Sequence, residues 1–182
     1  MLVAALTACT GEEREPLPVS HDDIAETMRR LANNGEFFRA GQWESTSRIL
    51  EISGLPESEA ADLKSRIGGQ KFSTCLTQEE VEQPDADFFS GNQSDCSYSR
   101  FAMADGKIEA TMRCVTGNIV QDNTLTGTYA PERYDFTLTS VGEGPTGETM
   151  TLAVSAQRVG DCARLGPARP APSGETDDDN DN

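Results

Sequence analysis

The sequence lacks any long run of apolar residues. No segment approaches the roughly 18 to 20 consecutive apolar residues that a membrane-spanning helix needs, so we expect no transmembrane helix. Histidine occurs once and no Cys-x-x-C pair is present. Because structural zinc favours closely spaced Cys and His ligands, no zinc site is predicted.

Arrangements typical of an active site are also missing. No Ser/His/Asp set, no Cys/His pair and no pair of carboxylates at a supporting spacing can be defended in this chain. The sequence therefore predicts no catalytic residue, no cofactor and no metal ligand, and we expect a protein that is not an enzyme.

Basic residues are scarce relative to acidic ones. The chain has 15 Lys and Arg against 31 Asp and Glu, a formal net charge of -16. This charge repels nucleic-acid phosphates and anionic lipid headgroups, so nucleic acid is not an expected partner. We expect a monomer, and the sequence leaves any protein or small-molecule partner open. Residues 163–182 run from a Pro/Ala-rich stretch into an acidic end that has no apolar groups to bury, and they are predicted to be a disordered acidic tail.

The five cysteines indicate both compartment and architecture. Four widely spaced cysteines in a chain with a signal-like start favour an oxidising compartment and two disulfides. A fifth cysteine is then left over near the N-terminus. The four are Cys75, Cys96, Cys114 and Cys162, and the odd one is Cys9.

The residues before Cys9 resemble the end of a bacterial lipoprotein signal. Residues 1–9 read as a truncated signal segment, because their apolar run has the length of a signal core but lacks a preceding basic region. Leu6-Thr7-Ala8-Cys9 resembles a lipobox, whose cysteine is joined to a diacylglycerol. Two or three acyl chains hold stably to a bilayer. We therefore expect a periplasmic protein anchored by lipid at Cys9, with a free thiol as the alternative.

Residues 10–20 are predicted to be an extended tether, since each proline there disfavours helix in the residue before it. A helix is predicted over residues 21–35. Ser20 and Asp23 resemble a capping box, and Asn33-Asn34-Gly35 ends the pattern. The apolar stripe of this helix is narrow, so the sequence leaves open whether it packs on the domain or stands off as a stalk.

Residues 37–162 are predicted to be the folded domain. A strand is expected over residues 42–52, a helix at about residues 57–67 and a short strand over residues 71–76. Thr77 then resembles the cap of a brief helical turn.

The segment between Cys96 and Cys114 predicts a hairpin. Ala104-Asp105-Gly106 fits a three-residue loop with glycine at the left-handed position. Pairing Met103 with Lys107 then places Cys96 opposite Cys114, which predicts a cross-strand disulfide. The same register turns one set of side chains inward and the alternate set outward. The inward set is Tyr98, Ala102, Ile108, Ala110 and Met112.

A second hairpin is predicted after another strand near residues 125–129. Tyr134, Phe136 and Leu138 alternate inward, and a glycine-rich loop at residues 142–147 leads to a strand over residues 150–156. By elimination, Cys75 is left to pair with Cys162. The expected fold class is α+β and mostly β: an antiparallel meander sheet with one or two helices, two disulfides and disordered tails.

Three short motifs resemble the landmarks of the bacterial family called domain of unknown function 3617. They are Gly41-Gln42-Trp43-Glu44, Cys75-Leu76-Thr77 and Arg158-Val159-Gly160-Asp161-Cys162, and the resemblance covers about residues 37–162. It implies an exported, often lipid-anchored envelope protein with an antiparallel sheet. The family has no established activity, so the resemblance assigns no catalytic residue.

Other candidate motifs have a structural interpretation. Residues 142–147 match G-x-G-x-x-G, but strand-like sequence follows where a phosphate-binding loop needs a helix. His21 is interpreted as a solvated residue of a helix start rather than a ligand. Trp43 is interpreted as a core residue rather than a ligand platform. Asp85 and Asp87 lack the spacing of a calcium loop and are interpreted as solvated charges.

The sequence thus favours a non-enzymatic, exported, lipoprotein-like module with a structural or binding role. The alternative is a periplasmic protein that binds a small molecule or a divalent cation through the open face of its sheet and its acidic surface.

Overall fold

The computed structural model describes residues 18–89, 95–143 and 147–162. Seven strands and three α-helices occur there, with a 3₁₀ turn at Ala86–Phe88. In this part of the chain no helix is both long and apolar enough to cross a bilayer. The elements in chain order are α1 (His21–Asn33), β1 (Gly41–Ser53), α2 (Glu57–Ile67), β2 (Lys71–Leu76), α3 (Gln78–Glu82), β3 (Asp95–Ala104), β4 (Lys107–Thr116), β5 (Ile119–Ala130), β6 (Arg133–Gly142) and β7 (Thr149–Gly160).

The strands form one antiparallel sheet in the order β2-β1-β7-β6-β5-β4-β3. Strands β3 to β7 are a simple meander in which each strand pairs with the next along the chain. Strand β1 pairs with β7, the last strand, and β2 lies beyond β1 at the edge. The predicted fold class is therefore confirmed, with three α-helices where the sequence predicted one or two.

Helix α1 packs on the domain and is not a stalk. Ser20 caps it by accepting a hydrogen bond from the backbone N–H of Asp23, as the capping pattern predicts. The stripe formed by Ile24, Met28 and Leu31 is buried in the same core as the sheet. Just before the helix, the Val19 N–H donates to the Tyr98 carbonyl at 2.8 Å, which joins the chain to the outer edge of β3.

The β3–β4 hairpin corrects one predicted register. Its turn has two residues, Asp105 and Gly106, both with positive φ, so Ala104 rather than Met103 pairs with Lys107. This arrangement turns Met103 inward and leaves Ala102 exposed, which is the reverse of the prediction for Ala102.

A bulge then restores the predicted register in the other half of the hairpin. The bulge lies between Tyr98 and Arg100 and places one extra residue in β3. Beyond it, Tyr98 faces Met112 and Cys96 faces Cys114, as predicted.

Both predicted disulfides are present. Cys96 and Cys114 are bonded across β3 and β4, with their Cα atoms 4.0 Å apart. Cys75 and Cys162 join the end of β2 to the chain just after β7, with a Cα separation of 5.4 Å. Cys9, nearly all of the predicted tether and the acidic tail lie outside the described residues.

The glycine-rich motif lies between β6 and β7, and a strand rather than a helix follows it, as predicted. The Gly142 N–H donates to the Glu148 carbonyl at 2.8 Å, and antiparallel strands flank the segment on both sides. Residues 144–146 lie outside the described ranges.

Aromatic residues dominate the space between the sheet and the helices. We call the face of the sheet that carries Trp43, Tyr98, Leu125 and Tyr134 the inner face. Ten of the eleven aromatic residues of the chain make ring contacts on this side, and the other, Phe72, is half exposed on β2. The ten are Phe37, Phe38, Trp43, Phe88, Phe89, Tyr98, Phe101, Tyr129, Tyr134 and Phe136.

Candidate functional site

The three sequence motifs that lie far apart in the chain meet at one corner of the sheet. Gly41 pairs with Leu76 of β2, and Gln42 pairs with Gly160 of β7. Arg158 donates from Nε to the Ala40 carbonyl at 2.8 Å, which ties the end of β7 to the chain entering β1. Together with the Cys75–Cys162 disulfide, these contacts fix the start of β1.

Trp43 is held rigidly next to this corner. Its side chain is only 6% exposed, and its indole N–H donates to the Arg39 carbonyl at 3.0 Å. The indole stacks on Tyr134 with a centroid separation of 5.8 Å and forms a T-shaped pair with Phe38 at 5.7 Å.

A cavity of about 650 Å³ lies beside Trp43, between the inner face and the segment that runs from α3 through the 3₁₀ turn. Ligand pockets for small molecules generally have volumes of about 300 to 1,000 Å³. On the sheet side and from the chain before β1, its walls are Phe38, Trp43, Thr74, Leu76, Leu125, Tyr134, Phe136, Leu138 and Val154. On the opposite side they are Glu80, Gln83, Pro84, Asp85, Asp87, Phe88 and Phe89.

The rings around the cavity form a continuous aromatic surface. Tyr134 stacks on Phe136 at 4.4 Å, and Phe38 stacks on Phe88 at 5.8 Å from the other side. Phe89 meets Phe136 edge to face at 6.0 Å. Stacked and edge-to-face pairs of this kind orient each ring, so the wall of the cavity is built before any ligand arrives.

Three carboxylates give the opposite wall an acidic character. Glu80 belongs to a capping box: its carboxylate accepts from the N–H and the hydroxyl of Thr77, both at 2.7 Å. These bonds to the charged form lower the pKa of Glu80, the backbone bond contributing most. Asp85 caps the 3₁₀ turn by accepting from the Asp87 N–H at 3.0 Å.

Basic side chains are absent from the described lining of the cavity. Among the described residues, neither Glu80 nor Asp85 forms an ion pair. Burial raises the pKa of the Tyr134 phenol, which is therefore neutral near pH 7. The cavity thus combines an apolar aromatic wall with a wall of negative charge.

The sequence profile of one family, described as Protein of unknown function (DUF3617), matches residues 38–162 of the chain. The protein belongs to the DUF3617 family. No protein with a curated description and no solved structure matches the chain at a significant level. The family resemblance predicted from the three motifs is confirmed, and the motifs are the residues that fix the corner beside the cavity of this DUF3617 domain.

Other residues considered from the sequence have plain structural roles. His21 is exposed at the start of α1, as predicted, and its Nε2 lies 2.9 Å from the Cys96 carbonyl oxygen. Trp43 is buried, as predicted, although one part of it also faces the cavity. Within the described residues, no group of three or more His, Cys, Asp and Glu side chains is placed to hold a metal ion.

Sequence reasoning missed the cavity and most of its lining. The alternation of Tyr134, Phe136 and Leu138 correctly identified the inner face of β6. The adjacency of Phe88 and Phe89 after Pro84 was the available signal for the opposite wall. Phe89 contacts Phe101 of β3 and Phe136 of β6, and no local pattern encodes which strands this segment packs against.

Proposed function

We propose that this DUF3617 domain is a non-enzymatic binding module that holds an apolar small molecule in the aromatic cavity on the inner face of its sheet. The observation that carries the proposal is the cavity itself, with a volume of about 650 Å³ and walls of stacked rings. Predominantly apolar concave sites with a few polar groups are the usual form of small-molecule sites.

The described lining supports binding rather than catalysis. It offers aromatic rings, aliphatic side chains, a neutral phenol and three carboxylates, and it includes no histidine, cysteine or lysine. Two of those carboxylates already serve as caps of short helical segments. A rigid aromatic wall costs little conformational entropy when a ligand is bound, which favours affinity.

Binding of N-phenyl-1-naphthylamine, a neutral apolar fluorophore, tests this proposal. We expect its fluorescence to rise on addition of the protein and the emission of Trp43, the single tryptophan, to fall through energy transfer. The melting temperature should rise with probe concentration, because a ligand that binds only the folded state stabilises it. A probe that changes neither emission nor the melting temperature would contradict the proposal.

Two matched pairs of substitutions locate the probe. Leu138→Phe with Val154→Phe fills the cavity from β6 and β7, and we expect several-fold weaker binding. The control, Val141→Phe with Val159→Phe, adds the same rings to exposed positions of the same two strands and should bind as wild type does. Equal binding by both double variants would place the probe elsewhere.

In this proposal the module is exported to the periplasm and anchored to an envelope membrane through lipid on Cys9. Two disulfides favour an oxidising compartment, and they leave Cys9 as the one cysteine of five outside a pair. The lipobox-like residues before Cys9 also support attachment of a diacylglycerol.

Expression of the complete gene in a Gram-negative host, with radioactive palmitate in the medium, tests the anchor. The wild-type protein should carry label and sediment with membranes. A Cys9→Ser variant should be unlabelled. Unlabelled wild-type protein, recovered from the cytosol with reduced thiols, would refute both export and lipidation.

A further inference from the structure

We infer that the ligand of the aromatic cavity is a cationic amphiphile: an apolar body that carries an amine or quaternary ammonium group. This inference rests on the proposed function and names the chemical class of the ligand. The negative charge of the cavity wall opposite the rings is the basis for the inference. A purely apolar ligand would make no use of that charge.

All the charged side chains in the described lining of the cavity are acidic. Glu80, Asp85 and Asp87 line the cavity, while the described lining includes no arginine, lysine or histidine. Glu80 is kept in its charged form by its bonds to Thr77, which lower its pKa. An anionic ligand would enter against this field, whereas a cation is attracted by it.

The aromatic wall is suited to the same ligand. A cation within about 6 Å of a ring centroid is attracted by the negative face of the ring, most strongly for Trp and then for Tyr and Phe. Trp43, Tyr134 and Phe136 lie next to one another in the lining of the cavity. An ammonium group that reaches the accessible part of a ring face beside the carboxylates would be attracted by both, while its apolar body fills the remaining volume.

A divalent metal ion fits the cavity less well than an organic cation. The rings supply no oxygen beyond the Tyr134 phenol, whereas calcium takes six to eight oxygen ligands, and in the described part of the chain no three His, Cys, Asp or Glu side chains are placed to hold a metal ion. An organic cation uses the rings and the carboxylates together, so the two walls act on one molecule.

Three probes with the same octyl chain test the inference: octyltrimethylammonium chloride, 1-octanol and sodium octyl sulfate. Their binding is measured by the emission of Trp43 and by the shift in melting temperature. We expect octyltrimethylammonium to bind about tenfold more tightly than octanol, and octyl sulfate to bind most weakly. Added sodium chloride should weaken only the cationic probe, because salt screens its attraction to the carboxylates.

Charge-removing substitutions assign the effect to the acidic wall. Glu80→Gln with Asp85→Asn keeps both caps, since glutamine and asparagine serve at those positions. We expect this variant to bind octyltrimethylammonium about fivefold more weakly and octanol unchanged. The control, Glu79→Gln with Asp22→Asn, removes the same charge from α3 and α1 outside the cavity lining and should bind as wild type does.

The outcomes separate this inference from the proposed function. Octanol binding as tightly as octyltrimethylammonium, or a Glu80/Asp85 variant with unchanged cation binding, would overturn the cationic ligand and leave the binding cavity standing. Calcium chloride that competes with the cationic probe and raises the melting temperature alone would also overturn it. If neither N-phenyl-1-naphthylamine nor any octyl probe binds, the proposed function fails as well. The probe series on wild type decides the question even if the double variant does not fold.

Discussion

Trp43 and Tyr134 stack on each other although they lie on β1 and β6, two strands that β7 separates. Their ring centroids are 5.8 Å apart, and the planes differ by 25°. Neighbouring strands are spaced about 4.8 Å apart, so the two backbones lie roughly twice that distance from each other. On β7, between the two strands, the residue in register with Tyr134 is the small, buried Ala156, and Trp43 pairs with Arg158 two positions further along.

The size of residue 156 should therefore control this contact. Ala156 is 7% exposed, so Ala156→Leu adds volume to the core beside Tyr134 and should cost about 1 to 3 kcal/mol of unfolding free energy. We also expect the emission of Trp43 to shift, because the indole has to move. Ala153→Leu, on the opposite face of β7, is the control for urea denaturation and fluorescence. An unchanged Trp43 spectrum in Ala156→Leu would contradict the packing.

The two disulfides should contribute unequally to stability. They close segments with sequence separations of 87 for Cys75–Cys162 and 18 for Cys96–Cys114. Restriction of the unfolded chain gives about 4.6 kcal/mol for the longer loop and about 3 kcal/mol for the shorter one. Urea denaturation of the two double-alanine variants measures the difference.

The burial of Cys96 and Cys114 reduces the expected difference between the two disulfides. Cys96 and Cys114 are buried, so their removal also leaves space in the core, a loss additional to the loop effect. If both double-alanine variants unfold at the same urea concentration as wild type, the sheet and helices are stable without the disulfides.

Gly41 should be among the most sensitive positions in the chain. Its φ is +146°, and a Cβ there would overlap the Gly160 carbonyl oxygen and lie 2.5 Å from Nε of Arg158. We expect Gly41→Ala to lose at least about 3 kcal/mol of unfolding free energy and to weaken probe binding through Trp43. Gly35→Ala is the control: φ is also positive, at +73°, but no atom lies within 4 Å of the added Cβ. Equal melting temperatures for the two variants would refute the close packing.

The capping box at Glu80 should make stability depend on pH in the acid range. The pKa of Glu80 is lowered from its ordinary value of 4.5, so its contribution is fully present above about pH 4.5 and is lost as the pH falls through the lowered value. Glu80→Gln keeps the cap but does not titrate. Between pH 6 and pH 3 its melting temperature should fall less than that of wild type. Glu79→Gln, on the same helix but outside the capping box, should retain the wild-type slope.

Local elements of this fold were readable from the sequence because local interactions determine them. Thr77 and Glu80 form the predicted box, and helix α2 ends before the glycine pair as expected. The Cys96–Cys114 pairing was correct for a partly wrong reason: the predicted three-residue turn and the actual two-residue turn differ by one position. The bulge beyond Tyr98 compensates for that position. Alternation alone cannot reveal a bulge, because the extra residue is exposed and polar.

The cavity required knowledge that no local pattern contains. Trp43 and Tyr134 are separated by 91 positions, and they face each other only because β1 pairs with the final strand. The predicted Cys75–Cys162 bond pointed to this closure, since it joins β2 to the end of β7. It did not indicate how much space the rings would leave beside them.

The pairing of β1 with β7 also constrains when the protein acquires its structure. During synthesis, the paired residues of β1 emerge 96 to 118 positions before their partners on β7, from Ser53 and Thr149 to Gln42 and Gly160. Until then β1 has only β2 as a sheet neighbour, and such long-range pairing is slow to form. Strand β1 therefore completes its pairing only after the last strand has appeared, whereas the consecutive strands β3 to β6 have their sheet partners available earlier.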